Sequence, residues 1–154
     1  MFNTSKVTDE RWMRLALEQA KQAESEGEVP VGAVVMIDEK IIGQGRNQSL
    51  GFHDPSAHAE IMAMRQAGKT LSNYRLPGST LYVTLEPCMM CAGAILHARI
   101  ERVVFGTRDE KTGAVGSIAN LLENPLANHR CRVTADILSE QSRLLLANFF
   151  QQRR

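Results

Sequence analysis

No stretch of this sequence approaches the ~18 consecutive apolar residues that a membrane-spanning helix needs, so a membrane is not an expected partner. The start, Met1-Phe2-Asn3-Thr4-Ser5-Lys6, has no basic segment, apolar stretch and small-residue cleavage site in succession. A secretory signal is therefore not indicated, and the cytoplasm is the expected location. Cysteine is scarce, with three in 154 residues. An odd number, two of them in a Cys-x-x-Cys, argues against a disulfide framework and for metal or redox chemistry in a reducing compartment. An excess of charge is missing too: 18 Lys and Arg against 17 Asp and Glu leave a net +1. That balance gives no global electrostatic case for nucleic acid, so such a partner has to be argued from local patches. Arg99, Arg102, Arg108 and Lys111 supply one and Arg153-Arg154 another. There is neither an internal repeat nor a linker, and residues 1–154 are expected to form a single domain. At this length folding buries roughly two thirds of the surface that the unfolded chain exposes.

What is present alternates between strand and helix patterns. Thr8 can cap a helix carrying Trp12, Leu15, Ala16 and Ala20 at three- and four-residue spacing, which predicts a helix over 9–24, ended by Gly27. The apolar run 29–37, the turn Asp38-Glu39-Lys40 and the segment 41–45 predict an antiparallel hairpin. Residues 47–56, rich in Gly, Asn, Asp, Ser and Pro, read as a loop, and a helix opens near His58. A strand over 79–85, a helix behind Pro87 and a strand over 102–106 form a βαβ unit, whose strands should be parallel. The remainder predicts a poorly periodic stretch over 107–128 with one short helix at 117–122, a short edge strand at 131–134 and a terminal helix over 136–150. The elements sum to an α/β fold: helices on both faces of one mixed sheet of about five strands.

One group of residues carries chemistry. Zinc takes thiolate and imidazole ligands, and a catalytic site keeps three protein ligands with a fourth position open. His58, Cys88 and Cys91 supply such a set. Cys88 and Cys91 lie three apart at a helix start, on one face and near the positive end of the helix dipole, where thiolates are favoured. Glu60 follows His58 by two residues, which in a regular helix turns it roughly 200° away. Both can face the metal only if His58 sits at the helix boundary, which would bring a carboxylate close to a metal-activated water without making it a ligand. On spacing alone, a structural zinc site with a fourth ligand from Cys131, His97, His53 or His129, or a redox pair, stays open.

His58-Ala59-Glu60 followed by Pro87-Cys88-Met89-Met90-Cys91 is the known H-x-E and P-C-x-x-C signature of the zinc deaminases. Longer runs extend the match: Val29-Pro30-Val31-Gly32-Ala33, Asn47, the segment from His53 to Ile61, Asn73-Tyr74-Arg75-Leu76, the segment from Thr80 to Cys88, Lys111-Thr112-Gly113-Ala114 and Asn128-His129-Arg130. Together they resemble the bacterial tRNA-specific adenosine deaminases, from about Trp12 to Phe150. The resemblance implies a three-layer αβα cytidine deaminase-like fold, a homodimer, one zinc per subunit, and hydrolytic deamination of adenosine to inosine at the wobble position of a tRNA anticodon, chiefly the arginine tRNA reading ACG. His58, Cys88 and Cys91 match the metal ligands and Glu60 the proton shuttle. Val29, Pro30, Asn47, His53, Ala59 and Leu85 fall around the base. Arg108, Asp109 and Lys111 fall on a loop meeting the anticodon, and Phe149, Phe150 and Arg153 on a helix bordering the RNA. DNA is not an expected partner. A dimer also follows from Met89, Met90 and Ile95, more apolar surface on one helix than the sheet alone can cover.

Two other functions compete. A guanine or cytosine deaminase of the same fold shares all four chemical residues, and differs where the Asp109–Ser117 loop and the basic C-terminal end would serve RNA. A structural zinc module that binds RNA has no use for Glu60 beside an open coordination position.

Overall fold

Residues 3–153 are described by a computed structural model. Helix α1 spans Asn3–Ser25 and so begins before the expected cap, Thr8. No glycine or proline lies between Asn3 and Thr8 to stop the helix from extending upstream. Strands β1 (Gly32–Ile37) and β2 (Lys40–Arg46) form the expected antiparallel hairpin, Ile37 facing Lys40 across a two-residue turn. Asp38 and Glu39 both have positive φ, at 49° and 63°, the turn that matches strand twist. The loop that follows contains one helical turn, α2 (Ser49–Phe52). Then come α3 (Ala59–Leu71), β3 (Thr80–Leu85), α4 (Met89–Ala98), β4 (Arg102–Thr107), β5 (Arg132–Thr134) and α5 (Ser139–Gln151).

The five strands make one mixed sheet in the order β2-β1-β3-β4-β5. β1 runs antiparallel to both neighbours, whereas β3, β4 and β5 are parallel. Side chains alternate across the sheet and divide the core in two. Ala33, Val35, Leu81, Val83, Val103 and Phe105 face Ala63 and Ala67 of α3 and Ala92 and Ile95 of α4. Val34, Met36, Tyr82 and Val104 face Trp12, Met13 and Ala16 of α1, with Ile137 ahead of α5. The result is the three-layer αβα cytidine deaminase-like fold. Among the described residues no helix is long and apolar enough to cross a membrane.

Glycine lets α3 lie directly on the sheet. A Cβ at Gly43 or Gly45 would run into the α3 backbone at Ala63 and its neighbours, so neither strand position admits a side chain. On the opposite layer, Asp9 of α1 is 2% exposed and holds Arg102 through two bonds of 2.9 and 2.7 Å. The Tyr82 hydroxyl donates to the same carboxylate at 2.9 Å, and Arg102 also donates to Thr134 at 2.8 Å. One helix is thereby tied to β3, β4 and β5. Asp9→Ala strands the Arg102 cation without its partner and is expected to cost about 3 kcal/mol of unfolding free energy, measurable by urea titration.

Two expectations fail locally. Residues 117–122 form turns rather than a helix: Gly116 has φ 130°, and its N–H bonds forward to the Ala119 carbonyl at 2.8 Å. α5 begins at Ser139 rather than at 136, because Asp136 and Leu138 sit in the left-handed region at φ 65° and 54°.

Candidate active site

His58 and Cys88 occupy the same kind of place: each is the extended residue immediately before a helix, His58 before α3 and Cys88 before α4. This boundary position resolves the angular problem of His-x-Glu. His58 lies outside the helical turn, so its ring and the Glu60 side chain in the first turn can approach one point. His58 Nδ1 lies 3.7 Å from Cys88 Sγ and 3.5 Å from Cys91 Sγ. A tetrahedral zinc with sulfur at about 2.3 Å and nitrogen at about 2.0 Å sets that separation near ~3.6 Å, so the donor set fits the ion.

His58, Cys88 and Cys91 form the one three-donor group of this kind among the described residues, their ligand atoms all within 4.8 Å of one another. His53, His97, His129 and Cys131 stand outside it. Cys131 is buried with its thiol on the Ile100 carbonyl at 3.0 Å, where burial pushes it up to about 11, and His129 Nε2 bonds the same carbonyl at 2.8 Å. Three donors without a fourth match a catalytic rather than a structural site. Cys131→Ser is accordingly expected to leave metal content at the wild-type level, read by elemental analysis of the purified protein.

The electrostatics favour metal capture. A hydrogen bond from Cys91 and a second from His58 hold the Cys88 thiol down at about 4. Cys91 is pushed upward by its bond to Cys88 and by burial, and His58 is raised chiefly by its bond to Cys88. Cys88 is thus the sulfur readied as a thiolate, and metal binding takes up the remaining ligands in deprotonated form. Glu60 is 4% exposed, and burial pushes its carboxyl up to about 7. A carboxylate held near neutrality can both accept and return a proton.

Around this centre, Asn47 follows β2 and its Oδ1 accepts the Ala59 N–H at 2.8 Å. Its amide NH₂ is the end left to donate. Ala59 itself is fully buried and serves through that N–H, and Pro30 is buried. Val29, Leu85, Arg108, Asp109, Lys111 and Phe150 meet in one cleft of about 630 Å³. Leu85 ends β3 three residues before Cys88, which brings one residue of the cleft's lining close along the chain to the sulfur-bearing turn, while the metal donors, Glu60 and Asn47 lie outside that lining. Arg153 borders an adjoining hollow with Asp109, Lys111 and Phe150, its guanidinium 3.5 Å from the Phe149 ring. Phe149 is only 4% exposed and packs edge-on against Phe150, so it props the cleft rather than lining it. His53 is exposed at the end of α2, with φ 52°. The Asp109 carboxylate turns onto its own loop, accepting from the Lys111 and Thr112 N–H groups at 3.1 Å and from the Thr112 hydroxyl at 2.7 Å. Arg154 lies outside the described residues.

Two buried carboxylates escaped the reading of the sequence. Glu28 accepts from the Leu50 and Gly51 N–H groups at 3.1 and 2.8 Å, and Glu86 anchors the loop that carries Asp109. The available signal was an acidic residue at the edge of an apolar run and next to or one residue from a proline, as in Glu28-Val29-Pro30 and Leu85-Glu86-Pro87.

A mixed sheet between two helical layers, with His, Cys and Cys gathered at two helix starts beside a buried glutamate, defines a deaminase of the cytidine deaminase-like class. The family model described as MafB19-like deaminase matches residues 7–154. The tRNA-specific adenosine deaminase of Haemophilus influenzae is 55% identical over 147 residues, 95% of this chain and 85% of the relative. A solved structure from studies of A-to-I editing by tRNA:A34 deaminases is 42% identical, with a TM-score of 0.85 over 88% of this chain and 99% of that one. The chain belongs to the tRNA-specific adenosine deaminase family. A guanine deaminase from Nitrosomonas europaea, 24% identical, shares the fold with a TM-score of 0.77 over 91% of this chain and 83% of that one.

Proposed function

We propose that this chain is a zinc-dependent hydrolase that converts adenosine to inosine at the wobble position of a tRNA anticodon, chiefly in the arginine tRNA reading ACG. The observation that carries the chemistry is the three-donor group without a fourth ligand, beside a buried glutamate near neutrality. The names of the relatives, specific for tRNA adenosine, support the substrate.

His58, Cys88 and Cys91 would hold one zinc per subunit. The chemistry that zinc would supply there is a water acidified enough to attack near neutral pH. Glu60 is the group placed to take up a proton from the attacking water and to give one to the amine that leaves as ammonia. Asn47, its carbonyl already occupied by Ala59, offers its NH₂ to the base edge, and Val29 and Leu85 pack against the ring. Pro30, Ala59 and His53 shape the pocket around it. Arg108, Lys111 and Arg153 face flanking phosphates, with Phe150 beside them and the Asp109 carboxylate holding the Lys111 backbone. A base already unpaired in a loop costs least to extrude, which favours an anticodon loop over a helix.

The single domain acts in the cytoplasm as a homodimer. Met89 and Met90 are 58% and 41% exposed on α4, next to an apolar groove between α3 and α4 lined by Ile61, Met64, Tyr74 and Ala94. A second copy covers that face. Ile95, counted toward the same surface from its spacing, is instead fully buried against the sheet. Inosine formation on an arginine anticodon stem-loop tests the function. It should fall as salt rises, because each phosphate contact releases counterions. An inert stem-loop at every salt concentration would refute the reading.

A further inference from the structure

Glu86 is a buried carboxylate that the deamination scheme leaves unused. It follows the last residue of β3, two residues before Cys88, and is 2% exposed. No cation faces it among the described residues; its partners are donors from one loop. Oε1 accepts from the Asp109 N–H at 3.1 Å and from the Ser117 hydroxyl. Oε2 accepts from the Val115 N–H at 2.9 Å and the Ser117 N–H at 3.0 Å. A buried charge is tolerated when its lone pairs are met in this way.

The geometry of those four donors has a direction. Asp109 and Ser117 are the two ends of a segment whose first residues, Asp109, Glu110 and Lys111, line the cleft, so one carboxylate closes it like a clasp. Gly113, inside the segment, lies so close that a Cβ there would overlap the Glu86 carboxyl. The backbone adds stitches: Ala114 N–H to the Pro87 carbonyl at 2.8 Å, Glu86 N–H to the Thr107 carbonyl at 2.9 Å, and a bridge between Cys88 and Gly113. The loop whose outer side presents Arg108, Asp109 and Lys111 is therefore registered against the turn that presents Cys88.

We propose that Glu86 is a positioning residue for RNA: it fixes the 109–117 loop relative to the metal turn, so that the strand is gripped at the right distance from the pocket that takes the base. This rests on the reading of that loop as an RNA contact. Glu86 touches neither substrate nor metal, and its effect is on substrate capture rather than on the chemical step.

Glu86→Gln separates these. Three of the four donors are backbone N–H groups, which cannot reverse. The amide oxygen is best kept against Val115 and Ser117, where two N–H groups converge, and the new NH₂ then faces Asp109 N–H and the Ser117 hydroxyl. The hydroxyl can turn to accept; the Asp109 N–H cannot, so the Asp109 end is released. Loss of a charge-assisted bond at a site of this kind is expected to raise KM for the anticodon stem-loop about tenfold, with kcat and zinc content near wild type. If the variant does not fold or loses zinc, Ser117→Ala, which removes one donor, decides: a raised KM with kcat retained supports the clasp. Wild-type KM in a zinc-loaded Glu86→Gln, or in Ser117→Ala where that variant decides, overturns it while leaving the proposed function intact. A wild-type enzyme inert on the stem-loop overturns both.

Discussion

Glu60→Ala is expected to leave a folded protein that retains one zinc per chain and binds RNA, while turnover falls at least ~10²-fold, the low end of what a positioned proton shuttle contributes. The structure explains why the loss should be confined to chemistry. Glu60 is not one of the donors whose ligand atoms cluster, so removing it leaves the metal set whole. Its burial raises the carboxyl to about 7, which means that the folded state disfavours its charged form. Alanine relieves that desolvation, and thermal stability should hold or rise. Turnover within a few-fold of wild type would show that another acid moves the proton.

Cys88→Ala should have the opposite distribution of effects. Removing one of three donors leaves too few ligands to hold the ion, and zinc content should fall from one per chain to a small fraction. The chemistry a metal supplies is worth several kcal/mol of barrier, so turnover should drop ~10³-fold or more, with a lower melting temperature because bound metal no longer favours the folded state. Parallel metal analysis, melting curves and single-turnover rates distinguish it from Glu60→Ala. Full zinc occupancy in this variant would contradict the ligand set.

How much of this could be read from the chain varies with the range of the interaction. The sheet was legible because the short, β-branched apolar runs within 32–37, 80–85 and 102–107 are a local signal of buried strands, and so was the parallel pairing of β3 with β4 across a helical crossover. The metal group was legible because each half is short and carries rare residue types. What the sequence hid depends on backbone conformation and on partners far along the chain. The helix expected at 117–122 is absent because the Ile118 and Leu121 N–H groups go to the Gly113 and Ala114 carbonyls and the Ala119 carbonyl takes the Gly116 N–H, and nothing in the Ser-Ile-Ala-Asn-Leu-Leu pattern shows that. Phe149 and Phe150 are adjacent and chemically identical, yet one is buried and the other faces the cleft, a difference fixed by how α5 rotates onto the sheet. Glu86 gathers donors 23, 29 and 31 residues away, beyond any local pattern.

The shared fold of the Nitrosomonas europaea guanine deaminase shows that architecture alone does not choose the base. The most direct measurement is therefore a competition: zinc-loaded enzyme given an arginine anticodon stem-loop together with guanine, cytosine and cytidine, with products separated by chromatography. The account predicts inosine in the stem-loop and the other three essentially unchanged. Turnover of guanine or cytosine with an intact stem-loop adenosine would contradict it.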